Sequence, residues 1–517
     1  MNKTQYRIIF NAARCCMMAV AETAQAQGKS ASGQTRGERR APRPSLNPRI
    51  APVQLACWLV AGVMGWSLPL MHSSQAQTTA VSVATRIVAD PNAPKTQQAT
   101  ILRSGNGVIQ VNIQTPSAAG VSRNTYTQFD VGNGAGGGAI LNNSRTNVQS
   151  QQGGWVQANP WLATGTAKVI LNEVNSSNPS QLKGFVEVAG QRAEVIVANP
   201  AGISVDGAGF INASRVTLTT GTPIMSGGSL DSYRVQGGTV RIDGQGLDTR
   251  DADYTAILTR ALQVNAGVWA NELHVVTGAN SIQAASVTPG STPQTSATAA
   301  TTAAPAVALD VAQLGGMYAG KIHLIGTEAG LGVRNAGQIQ AGSGPLTLSH
   351  EGWLSNSGNI QATQDLSVAT QGRIDNSGSI YAAGQLNVST PAAIVQTGTG
   401  AIMAAQSHAT FSAATLSTAK GSAIGSGIQP NGQLANSGDL TFNISNGLQL
   451  QGQTLAGGLF KLSASSVDLA SAQITAGQLD IRATSGSSFL SLLFSASRSR
   501  SLAASEASMP PKRERHL

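Results

Sequence analysis

Three phrases of nearly the same sequence recur about twenty residues apart in the second half of the chain. They are Asn335-Ala-Gly-Gln-Ile-Gln-Ala341, Asn356-Ser-Gly-Asn-Ile-Gln-Ala362 and Asn376-Ser-Gly-Ser-Ile-Tyr-Ala382. So short a period describes one small unit that stacks on copies of itself. Each unit contains short alternating apolar runs punctuated by Gly and Asn, which is typical of strands and turns. The sequence therefore predicts an all-β fold, a right-handed parallel β-helix with short capping and extra-helical β elements, in which stacked Asn side chains form hydrogen-bonded ladders.

Charge is scarce in this chain and unevenly distributed. Charged residues make up 11% of it, against about 25% in an ordinary soluble domain. The formal charge of +9 comes mainly from the first part, because residues 1–76 hold nine basic and two acidic residues, whereas residues 77–483 hold 19 basic and 20 acidic residues. Nucleic-acid binding requires a basic patch on the folded part. We therefore predict that the chain binds no nucleic acid.

Residues 1–76 are predicted to be an extended signal peptide. A basic region precedes an uncharged apolar run over residues 50–70, and small residues precede the expected cleavage between Ala76 and Gln77. An uncleaved membrane anchor is the alternative, because the apolar run is long enough to span a bilayer. All three cysteines precede residue 77. A chain without disulfides suits unfolded passage through a pore, and it equally suits a general rarity of cysteine in bacterial surface proteins.

Composition divides the rest of the chain into four segments. Residues 77–284 contain many short alternating strands, and residues 285–308 are rich in Ala, Thr, Ser and Pro without charge, which predicts a low-complexity linker or loop. Residues 309–483 carry the regular repeats and are predicted to be β-helical. Residues 484–517 depart from the pattern. We predict an atypical tail produced by truncation or a frameshift; a terminal cap of the solenoid is the alternative.

Two Asn-Pro motifs are the candidate functional sites of residues 77–284. The first contains Asn159, Pro160, Trp161 and Leu162, and the second contains Asn199, Pro200, Ala201, Gly202 and Ile203. Proline restricts its own φ and moves the preceding residue out of helical conformation, while Asn can hydrogen-bond to its own backbone. Each motif is therefore expected to form a rigid turn between coils, and Gly202 supplies freedom for the next bend.

The second motif, with Gly209-Phe-Ile-Asn212 and Val216-Thr-Leu-Thr-Thr-Gly221, resembles the filamentous haemagglutinin family. Its members are the exported partners of two-partner secretion systems. The resemblance implies that residues 77–284 are the two-partner secretion, or haemagglutination activity, domain and that residues 309–483 are adhesin repeats. Residues 1–22 resemble the extended signal-peptide region of large Gram-negative exoproteins. The resemblance implies a role of both motifs in export, although Trp161 and Ala201 each replace the usual Asn. Simple corner-forming turns are the alternative, and the two roles are compatible.

Membership of such a family implies a location and partners. The protein would be secreted or held on the surface of a Gram-negative bacterium after passing through the periplasm. Its expected partners are the inner-membrane general secretion machinery, an outer-membrane β-barrel transporter of the two-partner secretion type, and an unknown receptor on host or bacterial cells. The predicted function is that of a haemagglutinin-type adhesin. Two alternatives are the N-terminal stalk of a truncated contact-dependent toxin and a β-helical polysaccharide-degrading enzyme.

The sequence contains no convincing catalytic or cofactor motif. Gly132-Asn-Gly-Ala-Gly-Gly137 is spelled like a dinucleotide-binding loop, but more glycine and Asn142-Asn-Ser144 follow it instead of a helix, which predicts a flexible turn. The histidines are too widely spaced for a metal motif, and Asp248, Asp251 and Asp253 lack the Gly and Glu of a calcium loop. Acidic residues of the repeats are scattered singly. We therefore predict no enzyme, no catalytic residue, no metal site and no cofactor.

Overall fold

The computed structural model describes residues 84–484 in full, and outside them only the backbone of five short strands. The chain divides into two compact units, Met1–Ala51 and Pro52–Leu517. In the first unit, two strands pair as an antiparallel hairpin. The predicted cleavage between Ala76 and Gln77 and most of the predicted tail lie outside the described residues.

The described residues form strands almost throughout. The first are β1 (Tyr6–Asn11), β2 (Cys16–Ala21), β3 (Arg86–Ala89), β4 (Thr100–Arg103), β5 (Ile109–Asn112), β6 (Val121–Asp130), β7 (Ala139–Asn143), β8 (Val148–Ser150), β9 (Gly154–Val156), β10 (Val169–Val174), β11 (Ser180–Leu182), β12 (Phe185–Gly190), β13 (Ala193–Ala198), β14 (Ile203–Val205), β15 (Ala208–Ile211) and β16 (Ala213–Thr219). Next come β17 (Thr222–Ser226), β18 (Ser229–Val235), β19 (Thr239–Ile242), β20 (Leu247–Asp248), β21 (Tyr254–Thr259), β22 (Ala261–Val264), β23 (Gly267–Thr277), β24 (Asn280–Gln283), β25 (Thr295–Ala297), β26 (Leu309–Val311), β27 (Gly316–Gly326), β28 (Val333–Asn335), β29 (Gln338–Ala341), β30 (Leu346–His350), β31 (Leu354–Asn356), β32 (Asn359–Ala362) and β33 (Leu366–Thr370).

The remaining strands continue the same succession. They are β34 (Ile374–Asn376), β35 (Ser379–Ala382), β36 (Leu386–Ser389), β37 (Ala393–Gln396), β38 (Ile402–Ala405), β39 (Ala409–Ala413), β40 (Thr415–Thr418), β41 (Ala423–Ser426), β42 (Leu440–Ile444), β43 (Gly447–Leu450), β44 (Gln453–Ala464), β45 (Ser466–Asp468), β46 (Gln473–Ala483), β47 (Ser487–Ser488), β48 (Leu493–Ser495) and β49 (Arg500–Ala504). Short 3-10 turns occur at Lys95–Gln97, Pro160–Leu162 and Ala284–Ser286. No helix in the described part is long and apolar enough to cross a membrane.

Most of these strands belong to coils of three strands, and the coils stack in parallel. One coil contains β31, β32 and β33, and the next contains β34, β35 and β36, with each strand paired in parallel with its counterpart twenty residues later. The stack therefore has three faces. Face 1 contains β11, β14, β19, β22, β26, β28 and every later strand of that sheet through β47. Face 2 contains β32 and its counterparts, and face 3 contains β33 and its counterparts. The predicted parallel β-helix is confirmed.

Apolar columns fill the interior of the solenoid because inward residues repeat at the same place in each coil. In the regular repeats, Val333, Leu354 and Ile374 stack on face 1, Ile339, Ile360 and Ile380 on face 2, and Leu346, Leu366 and Leu386 on face 3. All of these side chains are buried. Full burial of such a side chain contributes about 1.5–3 kcal/mol to stability, so each added coil adds its own share of core.

Additional strands cover the outside and the N-terminal part of the stack. β17, β18, β24 and β25 form an antiparallel sheet over face 3, and side chains such as Tyr233, Tyr254 and Ile282 make a second apolar core beneath it. At the N-terminal end, β3 and β4 pair antiparallel with β6 and β5, which themselves pair in parallel with the following coil. The predicted capping and extra-helical elements are therefore present. We refer to the four-stranded antiparallel sheet as the outer sheet.

The segment 285–308, expected to be a linker or loop, is an excursion on the surface of one continuous stack. β25 pairs with β24, while the guanidinium of Arg260 donates to the carbonyl oxygens of Thr302 at 2.6 Å and Ala303 at 2.9 Å. Face 1 meanwhile passes directly from β22 to β26. Coil pairing therefore runs through this position without a break. The domain limits at 284 and 309 stay predictions.

Candidate functional site

The first Asn-Pro motif lies at a corner between β9 and β10. Asn159 is buried, and its Nδ2 donates to the carbonyl oxygens of Ile113 and Asn142, each at 2.9 Å. Its Oδ1 accepts the N–H of Trp161 at 3.0 Å, which closes an Asx turn before the 3-10 turn Pro160–Leu162. Ile113 and Asn142 belong to different levels of the stack, so one side-chain amide joins both levels to the corner.

The second motif repeats this arrangement between β13 on face 3 and β14 on face 1. Asn199 is fully buried, and its Nδ2 donates to the carbonyl oxygen of Asn178 at 2.9 Å and to Oγ of Ser180 at 3.0 Å. Its Oδ1 accepts the N–H of Ala201 at 3.0 Å. Asn178 and Ser180 precede this coil by one turn of the solenoid. The amide therefore uses all its partners only when two coils are stacked.

Gly202 ends the second turn in a conformation that suits glycine. Its φ is +120°, and a Cβ at this position would lie 3.1 Å from the carbonyl oxygen of Thr239 in the next coil. Ile203 then enters the core as the first residue of β14. The turn thus ends with a close backbone approach between coils and an apolar anchor, as Leu162 provides in the first motif.

The two positions that depart from the family pattern contribute only backbone to the turns. Trp161 and Ala201 supply their N–H groups to the Asx turns, which any residue other than proline can do. Trp161 is 43% exposed, and its Nε1 donates to Oγ1 of Thr100 at 3.0 Å. A change of side chain at either position therefore leaves the turn intact.

Buried polar residues that sequence reasoning missed complete the first corner. The stretch Asn142–Ser144 follows the predicted glycine-rich turn, and its Asn142 and Asn143 are fully buried in β7. Asn142 donates to the carbonyl oxygen of Gln157, and Asn143 donates to that of Ala167. Adjacent buried amides were a usable signal, because such groups need partners inside the fold. The glycines 132–137 themselves form a turn between β6 and β7.

Charged side chains on the outward sides of the strands near the motifs pair between coils. Arg123 contacts Glu173 at 2.7 Å, and Arg215 contacts Glu194 at 2.7 Å. Burial beneath the outer sheet raises the pKa of the Glu194 carboxyl, and the nearby Arg215 opposes this effect. Asp253, considered above for a calcium loop, instead pairs with Arg192 at 3.0 Å. These carboxylates have cationic partners, which is the arrangement of structural ion pairs.

A second cluster lies away from both motifs, at the border of the outer sheet. Glu272 and His274 of β23 and His323 of β27 bring one ligand-type atom each to within 4.8 Å of one another. His274 and His323 are 49 positions apart, and the pairing of β23 with β27 places them side by side. Spacing along the chain gave no indication of this cluster.

Two family models match the chain. The description of the first is TPS secretion domain, and it matches residues 85–362, more than half of the chain. The second describes the Extended Signal Peptide of Type V secretion system and matches residues 1–47.

Several proteins are similar in sequence. The Toxin CdiA of Yersinia pestis is 48% identical over 372 residues, which cover 72% of this chain and 10% of that protein. The tRNA nuclease CdiA-2 of Burkholderia pseudomallei is 42% identical over 365 residues, which cover 70% of this chain and 11% of that protein. The chain thus spans about a tenth of the length of these relatives.

Two solved structures are also similar. The filamentous hemagglutinin secretion domain is 34% identical, with a TM-score of 0.46, and the match covers 59% of this chain and 95% of that one. The HMW1 secretion domain from Haemophilus influenzae is 13% identical, with a TM-score of 0.33, and the match covers 80% and 98%.

Proposed function

The chain belongs to the family of two-partner secretion exoproteins that carry a TPS secretion domain, and from this premise we propose that its Asn-Pro corners act in export and that it serves as an adhesin. Family membership places the protein outside or on the surface of a Gram-negative cell, after export through the periplasm. It also implies an outer-membrane transporter as partner. The inner-membrane general secretion machinery and a cell-surface receptor are further partners that we propose.

The proposal for the corners rests on how their buried amides are satisfied. Asn199 bonds to residues 178 and 180, and Asn159 bonds to residues 113 and 142. In an unfolded chain these amides are hydrated, because their partners are far away. Outside the cell, stacking of the coils that carry these corners buries an amide and an apolar column together. Backward movement into the pore would expose both, so folding retains the exported segment.

The proposal of an adhesin role rests on the outer surface of the repeats. Residues 77–483 carry almost no net charge, and an open groove of about 500 Å³ runs across successive coils beside face 3. Its lining includes Ser349, Thr370, Ser389, Thr390 and Asn443. Hydroxyl and amide groups of this kind offer hydrogen bonds to a polar ligand on another cell. We propose this groove as the receptor-facing surface.

A second candidate function follows from the relatives. Proteins named Toxin CdiA and tRNA nuclease CdiA-2 match this chain over a tenth of their length. The stacked coils then serve as the N-terminal stalk of a contact-dependent toxin, with no nuclease activity of their own. In either case the TPS region serves transport and adhesion rather than catalysis.

The experiment compares two buried asparagines. Asn199→Leu removes a corner amide of the motif, whereas Asn356→Leu removes a buried amide of the repeats that belongs to no Asn-Pro motif. Both variants are expressed with the transporter, and the protein is quantified in the periplasm and in the medium. We expect Asn199→Leu to accumulate in the periplasm and Asn356→Leu to reach the medium. Equal release of both, or equal retention of both, would contradict a specific role of the motif.

A further inference from the structure

We propose that Glu272, His274 and His323 form a binding site for a divalent transition-metal cation of the Zn²⁺ type. Ligand-type atoms of the three side chains lie within 4.8 Å of one another. Two imidazoles and one carboxylate are a common Zn²⁺ ligand set, with a water in the fourth position of the tetrahedron. Imidazole ligands also suit Cu²⁺ and Ni²⁺, so the proposal names this class of cation rather than Ca²⁺ or Mg²⁺.

The β-helix places these groups together by its register. Glu272 and His274 are two positions apart on β23, so both side chains point outward, while the intervening Leu273 lies in the core. His323 of β27 pairs in register with His274, and the two ring centroids are 4.5 Å apart. The site therefore needs two stacked coils, but no movement of either strand.

The site rests on this geometry, and the pKa shifts of the three groups agree with it. Burial lowers the pKa of His274 to about 4, and burial also lowers the pKa of His323, so both imidazoles are neutral at pH 7. Burial by itself raises the pKa of the Glu272 carboxyl, but hydrogen bonds from Gly290 and His274 outweigh it and hold this pKa below its ordinary value. Neutral imidazoles and an ionised carboxylate are the forms that bind metal.

Two of the proposed ligands contact each other directly, and one ring nitrogen lacks a partner in the part of the chain that the structure describes. Nε2 of His274 lies 2.9 Å from Oε1 of Glu272, and Nδ1 of this fully buried ring has no partner among the described residues. The N–H of Gly290 donates to Oε1 of Glu272 at 2.6 Å, which orients the carboxylate from outside the ligand set. His323 is half-buried, so one side of the site stays open to water.

Lys321 is the one charged group that opposes a cation at this place in the described part. Its Nζ lies 3.9 Å from Oε2 of Glu272, and its side chain is 46% exposed. Long lysine side chains keep their ammonium group in water while the stem stays packed. When a metal ion binds, the ammonium group moves outward. The ion then replaces it as the cationic partner of the Glu272 carboxylate.

Metal binding at this site stabilises the folded chain. The ligands come from two coils, so an unfolded chain lacks the site, and binding shifts the equilibrium toward the folded form by mass action. Through Glu272 and Gly290 the ion also joins the β-helix to the turn that follows the 3-10 turn Ala284–Ser286. This inference concerns the folded protein and does not depend on how the protein is exported.

The test is a Zn²⁺ titration of the secreted protein after treatment with a chelator. We expect one saturable equivalent per chain by calorimetry, together with a higher Tm. His323→Thr is the variant of choice, because Thr347 occupies the same register position in the next coil. It should weaken Zn²⁺ binding about 100-fold or more. His350→Thr is the matched control, since Thr370 follows His350 in its own column, and it should bind Zn²⁺ like the wild type.

A second variant tests whether the positive charge of Lys321 opposes metal binding. Lys321→Gln removes the competing charge and should tighten Zn²⁺ binding by about tenfold, an effect that a purely structural lysine would not produce. Co²⁺ substitution should give the visible absorption of a four-coordinate site, and His323→Thr should abolish it. The proposal is overturned by the absence of saturable binding, by equal affinity of His323→Thr and the wild type, or by weaker binding of Lys321→Gln.

Discussion

Buried amides hold both the N-terminal coils and the regular repeats, but they occupy different corners. In the N-terminal coils the corner from face 3 to face 1 contains Asn199, which bonds to backbone and hydroxyl groups of the preceding coil. The same corner of the repeats contains glycine instead, and the N–H of Gly372 donates to the carbonyl oxygen of Gly352 at 2.8 Å. The repeats therefore need no asparagine to close this corner.

In the repeats the buried amides lie at the next corner instead, at the end of each face 1 strand. Nδ2 of Asn335 donates to Oδ1 of Asn356, and Nδ2 of Asn356 donates to Oδ1 of Asn376, each at 2.7 Å. This confirms the predicted ladder. The positions that precede this column in the N-terminal coils are aliphatic, and the last of them is Val311. Oδ1 of Asn335, beside Val311, has no partner within residues 84–484.

The ladder of the repeats and the corner at Asn199 differ in whether the partners of the buried amide recur in the next coil. A ladder repeats one contact between identical side chains, so further coils extend it without any new type of partner. A corner such as Asn199 is unique, because its three partners are a carbonyl oxygen, a hydroxyl and an N–H group at fixed distances along the chain. We therefore expect the N-terminal coils to be the less tolerant region.

The largest expected effect comes from the pair of asparagine substitutions. Asn199→Leu leaves the carbonyl oxygen of Asn178, the hydroxyl of Ser180 and the N–H of Ala201 without their partner, which should lower the free energy of unfolding by about 4 kcal/mol. Asn356→Leu should cost about 2 kcal/mol, because its neighbours keep backbone partners and the column already contains Val311. Urea denaturation measures both values. Equal losses would remove the distinction between corner and ladder.

A smaller effect is expected from pH. Burial lowers the pKa of His350 in the repeats from its ordinary 6.5 to about 4. Between these values the unfolded chain binds a proton that the folded chain rejects, so this contribution to stability is complete above pH 6.5 and is lost as the pH falls toward 4. The N–H of Gly352 donates to Nδ1 of His350 at 3.0 Å, and protonation breaks this bond.

The measurement compares wild type and His350→Thr at about pH 7.5 and about pH 4.5. The wild type should lose about 2 kcal/mol more stability than the variant over this interval. His274, with a pKa also lowered to about 4 by burial, stays in the N-terminal coils of both proteins, so the difference reports the repeats alone. The same pH dependence in both proteins would show that His350 is protonated when folded.

The smallest effect compares two glycines. Gly202→Ala places a Cβ 3.1 Å from the carbonyl oxygen of Thr239 at a φ of +120°, and should lower the free energy of unfolding by about 1–2 kcal/mol. A Cβ at Gly342 in the repeats would meet only the carbonyl oxygen of Ala319, at 3.7 Å, so Gly342→Ala should be nearly neutral. Midpoints of urea denaturation check both. A Gly342→Ala variant as unstable as Gly202→Ala would contradict the difference in tolerance.

Sequence patterns predicted much of the fold and part of the site. The twenty-residue spacing of Asn335, Asn356 and Asn376 predicted both the coils and the ladder, because each contact joins equivalent positions of neighbouring repeats. The turns at Asn159 and Asn199 were predicted from local chemistry. The partners of these two amides were not, because Ile113 and Asn178 lie in other coils and carry no motif.

The amino-acid sequence by itself determined the coil. The inward residues and the turns of each coil recur at a fixed period and interact with near copies of themselves. Only the tertiary structure decided which side chains meet across irregular insertions. His274 and His323 are neighbours because the outer sheet and the excursion at 285–308 leave the β-helix and return to it at matching registers. No period encodes the length of such an excursion, so contacts across it follow from the packing of the whole stack.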